Sequence, residues 1–150
     1  MSRQKAASLL LPVAERSLGD LLGTPVALPP MFKPDDAFHA SLARPLRQLS
    51  LQELRQFIKL RIGLAFVVPR ALAHLREHPL AETMFMPGDL LTQVLRLPDE
   101  WWRANADLAG DALAAVEHAI PRLQKRGAVP ELEATFEARA TFLREVARAG

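Results

Sequence analysis

His74 and His78 stand four residues apart, which is the spacing in this chain that comes nearest to a ligand pair. On a helix, residues i and i+4 share a face, so two imidazoles can take one divalent ion. The glutamate between them, Glu77, does not produce the His-Glu-x-x-His order of a zinc protease. Glu82 is the nearest carboxylate that could serve as a third ligand, but no fixed spacing points to it. The plainer expectation is two surface histidines near a helix C-terminus, where the partial negative charge favours them. No metal is expected. Nucleophilic chemistry finds as little support. The five serines (Ser2, Ser8, Ser17, Ser41, Ser50) include none in a Gly-x-Ser-x-Gly elbow, and the chain has no cysteine and no glycine-rich phosphate loop. The carboxylate pairs Asp35-Asp36 and Asp99-Glu100 fall where helices should begin, and the amide-rich end of a helix accounts for them without acid–base work. The expectation is a protein without catalytic residues and without a cofactor.

The charge pattern points to binding instead. The formal net charge is only +2 although the pI is about 9.5, because a chain without Cys or Tyr has little to titrate between His and Lys. Charge is distributed in blocks. From Ser41 to Arg76 seven basic residues (Arg44, Arg47, Arg55, Lys59, Arg61, Arg70, Arg76) face one acid, Glu53. From Glu77 to Glu100 five acids (Glu77, Glu82, Asp89, Asp99, Glu100) face one Arg96. The basic block lacks the interleaved aromatics of a nucleic-acid platform and reads as a solvated helix face. The acidic block carries Met84, Phe85 and Met86 in a loop, and then the adjacent Trp101 and Trp102. Adjacent helical residues point about 100° apart, so the two tryptophans need not both reach a core. Carboxylates around apolar anchors suit a protein partner. The candidate partner-binding residues are therefore Glu82, Met84, Phe85, Met86, Asp89, Asp99, Glu100 and Trp102.

The elements that position these groups are helical. A chain of 150 residues with 49% hydrophobic residues is enough for a single domain with its own core. Arg3 and Lys5 precede a short apolar stretch, Ala6 to Ala14, read as a leading amphipathic helix rather than a signal peptide. No apolar run approaches a membrane span. Pro25, Pro29, Pro30 and Pro34 make Gly23 to Pro34 an extended linker. Asp35 or Asp36 caps a short helix running towards Arg44. Ser50 and Glu53 form a capping box, followed by Leu51, Leu54, Ile58 and Ile62 on one face and Gly63 as a left-handed stop. Leu64 to His78 continues as a helix despite Pro69, whose place in a helix interior would cost about 3 kcal/mol. Pro87-Gly88-Asp89 turns into a helix from Leu90 to about Arg96, and Pro98 opens the next. Asn105 caps a long helix with a Leu113, Val116, Ile120, Leu123 stripe and a kink at Pro121. Gly127 stops it, and Pro130 starts the last helix, packed by Leu132, Phe136 and Leu143. Phe66-Val67-Val68 is the best β-favouring run and is too short for a strand. The expected fold is all-α, an irregular bundle of about six or seven helices.

An ordered series of short segments carries a family resemblance: Pro29-Pro30; Pro45-Leu46-Arg47-Gln48-Leu49-Ser50-Leu51-Gln52-Glu53-Leu54; Ile62-Gly63-Leu64 with Val68-Pro69 and Ala71-Leu72; Pro79-Leu80-Ala81-Glu82; Pro87-Gly88-Asp89-Leu90-Leu91; and Leu95 with Trp101-Trp102. In this order the chain resembles the small helical immunity proteins of bacterial contact-dependent growth inhibition (CDI). The resemblance spans roughly Ser17 to Asp107, with residues 108–150 as a helical C-terminal extension. It departs from the family pattern at Leu60, where glutamine is common, and around Phe66 and Phe85. It implies a cytoplasmic protein that holds a cognate toxin C-terminal domain in a one-to-one complex and occludes its active or substrate-binding site. If that toxin is a nuclease, Glu82, Asp89, Asp99 and Glu100 are placed to imitate phosphate. The competing expectations are a helical adaptor for another protein and, behind it, a nucleic-acid binder.

Overall fold

The structure, a computed structural model, describes residues 12–23, 26, 28–33, 36–127 and 130–150. The leading stretch as far as Leu11, with Ser2 and Ser8, and the linker and cap residues Pro25, Pro34 and Asp35 lie outside the described residues. The fold is all-α. Eight α-helices and no strand occur among the described residues: α1 Leu18–Leu22, α2 Ala37–Ser41, α3 Leu51–Leu60, α4 Leu64–Glu77, α5 Asp89–Leu95, α6 Asp99–Ala104, α7 Ala106–Lys125 and α8 Pro130–Ala149. The only extended pairing among them is an isolated bridge between Ser17 and Pro45. Among the described residues no helix is long and apolar enough to cross a membrane. The chain divides into two compact units, Met1–Val67 and Val68–Gly150, so the division falls inside α4.

The first unit is organised by caps. A single 3-10 turn, Val13–Glu15, precedes α1. Ser17, which is buried, accepts a hydrogen bond from the Asp20 amide at 3.1 Å, and α1 stops at Gly23 in the left-handed region. Asp36 precedes α2, but its carboxylate turns back to accept from the Lys33 amide at 2.8 Å instead of capping the helix. The Ser50–Glu53 box is complete: the Glu53 amide donates to Ser50 Oγ at 3.1 Å and the Ser50 amide to Glu53 Oε1 at 2.9 Å. Glu53 also pairs with Arg44, and Arg47 with Glu15. Two members of the basic block are thereby neutralised locally, and Arg55 is buried. Helix α3 ends two residues earlier than expected, at Arg61 in the left-handed conformation (φ 58°). Gly63 (φ 62°) instead opens α4, and its carbonyl accepts the Phe66 and Val67 amides. The buried core holds Leu18, Leu46, Leu49, Leu54, Phe57, Ile58 and Val67. Phe57 is a core residue that the leucine and isoleucine spacing alone does not reveal, and its ring lies 4.6 Å from that of Phe38.

The second unit is built on the pair α7 and α8. Their facing sides bury Ala109, Ala112, Ala115, Val116, Ala119 and Leu123 on α7, and Phe136, Ala140, Leu143 and Val146 on α8. Alanines let the two helices approach closely, so the bulk comes from α8. Burying Phe136 and Leu143 contributes roughly 2 kcal/mol each. The expected Leu113 and Ile120 are only half-buried. Pro69 and Pro121 both sit inside helices. Pro69 is the sixth residue of α4, and Ala65, whose carbonyl would have accepted the missing amide, is exposed. Pro98 and Gly127 stand at helix boundaries as expected, Gly127 with φ 70°. Asn105 does not cap α7 through its side chain; its Nδ2 donates to the Trp101 carbonyl at 2.8 Å.

Candidate partner-binding site

Between α4 and α5 the chain makes a loop that ends in a left-handed glycine. Gly88 has φ 85°, and its amide donates to the Leu80 carbonyl at 3.1 Å. A Cβ at this position would meet Leu80 Cδ2 at 3.4 Å and Phe136 Cζ at 3.7 Å, so the base of the loop rests on buried side chains. The next residue, Asp89, is the first of α5 and is 7% exposed. Its carboxylate faces back into the loop. Oδ1 accepts from the Thr83 amide at 2.8 Å. Oδ2 accepts from the Thr83 hydroxyl at 2.8 Å and from the Met84 and Phe85 amides at 2.9 Å each. Three consecutive backbone amides and one hydroxyl thus converge on one carboxylate.

The electrostatics follow from that geometry. Burial by itself would raise the Asp89 pKa, because the charged form loses water. The hydrogen bonds from Phe85, Met84 and Thr83 outweigh it and hold the carboxyl at about 2, against 3.8 for a free side chain. Asp89 is therefore ionised and fully engaged inside the protein. Of the residues expected to meet a partner, this one has both carboxylate oxygens accepting hydrogen bonds from the loop.

What the loop shows to solvent is apolar. Met84, Phe85 and Met86 are 57%, 65% and 43% exposed. Large apolar residues this exposed in sequence on a hydrogen-bonded loop mark an interaction surface more often than isolated ones do. Glu82, just before them, is exposed. Thr83 contributes both its amide and its hydroxyl to the clamp, and nothing in the sequence marks it. A threonine six residues before an aspartate is too common a pattern to signal this.

The α6 candidates take different places. Trp102 is fully buried, with Trp101 edge-on at 5.0 Å. It is a core side chain and not a surface anchor, because the turn of α6 directs it inward and leaves Trp101 half-buried. Asp99 pairs with Arg139 of α8 at 2.8 Å, and the Arg139 guanidinium lies over the Phe142 ring at 4.4 Å. Glu100 is exposed. The expected set of four acids is thus reduced to two that are free of such partners, Glu82 and Glu100. His74 and His78 stack with ring centroids 5.0 Å apart, and among the described residues no three His, Asp or Glu side chains converge as metal ligands.

A family model described as CDI immunity proteins matches residues 33–112, a segment that contains the loop, its Asp89 clamp and α6. No curated protein and no solved structure matches the chain.

Proposed function

Starting from the chain's membership of the CDI immunity proteins, we propose that it acts in the cytoplasm by binding a cognate toxin C-terminal domain one-to-one and covering that domain's active or substrate-binding site. Neutralisation is by binding and not by catalysis. The observation that carries this reading is the loop of Met84, Phe85 and Met86, exposed yet fixed through the Asp89 carboxylate. A flexible loop would lose conformational freedom on docking, at roughly 0.5–1.5 kcal/mol for each immobilised side chain with further backbone terms. A loop whose amides are already bonded has less freedom to lose. Apolar anchors on such a support are the kind of group that dominates protein–protein affinity.

The test is titration calorimetry of the purified chain against the catalytically inactivated toxin domain encoded beside it. Replacing Met84, Phe85 and Met86 together by serine should weaken binding roughly 100-fold or more. The same variant should no longer protect cells that express the active toxin. Unchanged affinity would remove the loop from the interface. Neutralising the remaining exposed acids, Glu82→Gln with Glu100→Gln, asks separately whether phosphate imitation contributes. An unaltered affinity and salt dependence would exclude it.

A further inference from the structure

We propose that a groove beside this loop receives an acidic segment of the toxin, an inference that rests on the immunity reading above and names the chemistry of the surface being bound. The groove is open, about 370 Å³ in volume, and lined by His78, Leu80, Ala81, Arg122, Lys125 and Arg126. It lies wholly within the second unit, between the residues that follow α4 and the C-terminal end of α7. His78 and the three cations are exposed, and Leu80 is buried beneath them. Arg76, Arg139 and Arg144 of the same unit each face an acid. Among the described residues Arg122, Lys125 and Arg126 have no such partner. The carbonyl end of a helix favours basic residues one at a time. It does not require three of them to border one concavity together with an imidazole, that of His78.

The position of the groove identifies its occupant. Leu80 and Ala81 line it, Ala81 leads directly to Glu82 and the exposed trio, and the Gly88 amide ties the far end of the loop to the Leu80 carbonyl. Loop and groove therefore share one short, hydrogen-bonded segment. A partner that covers Met84–Met86 meets the cations next. Carboxylates on that partner would neutralise charges that this chain leaves uncompensated, and would speed encounter. A phosphate backbone fits less well. No Phe or Trp lines the groove for base stacking, and the apolar trio beside it offers nothing to a sugar-phosphate chain.

The experiment measures association and dissociation rates with the inactivated toxin domain across a salt series, for the wild type and for Arg122→Glu, Lys125→Glu and Arg126→Glu combined. Association should slow by on the order of 10-fold to 100-fold at low salt, and its salt dependence should flatten. Circular dichroism checks folding, and a triple glutamine variant makes the same comparison if the glutamate variant does not fold. If the groove variants bind like the wild type while the Met84–Met86 serine variant has lost binding, the immunity reading stands and the groove assignment is overturned. If the groove variants lose salt-sensitive binding of a labelled DNA duplex and keep full toxin affinity, the occupant is nucleic acid and the proposal is likewise overturned. If the wild type does not bind the toxin domain, both readings fall.

Discussion

Replacing Asp89 by asparagine isolates the charge of the clamp at nearly constant shape. In the unfolded chain this carboxyl titrates near 3.8, and in the folded protein near 2. Each pKa unit corresponds to about 1.4 kcal/mol, so ionised Asp89 contributes about 2 kcal/mol to stability at neutral pH. The folded state holds the proton less tightly than the unfolded state. The contribution is therefore complete above about pH 4 and is lost as the pH falls towards 2. Urea unfolding followed by circular dichroism at pH 7 should place Asp89→Asn about 2 kcal/mol below the wild type. The gap should narrow steadily between about pH 4 and pH 2, where the protonated acid and the amide become equivalent in charge. An asparagine amide turned towards the Met84 and Phe85 N–H groups adds a further penalty that does not titrate. A gap below about 0.5 kcal/mol at pH 7, or one that stays constant down to pH 2, would refute the account of Asp89 as an ionised clamp.

Two further outcomes follow from packing. Trp102→Phe should cost roughly 1–3 kcal/mol in thermal or urea unfolding while leaving toxin affinity within about twofold, because the ring is fully buried in the core; a large loss of affinity with unaltered stability would return it to the interface. Gly63→Ala should destabilise by more than Gly127→Ala, although both glycines have positive φ, because a Cβ at Gly63 would come within 2.5 Å of Leu18 Cδ2 and one at Gly127 meets nothing within 4 Å; the Gly127 change should cost only about 1 kcal/mol, and equal losses in urea unfolding would exclude the steric argument.

Features set by neighbours in the chain were legible in the sequence. The Ser50–Glu53 box, the glycine before α5 and the proline at the start of α6 depend on contacts within three or four residues, and each stands where the pattern puts it. The all-α class followed from the same local signals. Choices between equivalent local solutions were not legible. Both Arg61 and Gly63 adopt left-handed backbone; the helix stops at the arginine, and Gly63 stands where Leu18 approaches. Of two adjacent tryptophans, tertiary packing selects Trp102 for the interior. On α7 the large residues Leu113 and Ile120 suggested one stripe, whereas the buried side is lined mainly by alanines that carry little hydropathic contrast. Within the candidate site, the apolar trio was visible as composition. The role of Asp89 was not, because its partners are mainly backbone amides and every non-proline residue carries one. The groove cations were invisible for a different reason: His78 and Arg122 are brought together only by folding.

That dependence on the main chain has a consequence for how such a protein can diversify. Asp89 grips the amides of residues 83, 84 and 85, and only the threonine hydroxyl ties the clamp to side-chain identity. At 84 and 85 the clamp itself asks only for a backbone donor, which bars proline there. One loop shape can carry many different lettered tips, so recognition can be rewritten while the architecture beneath it is inherited intact.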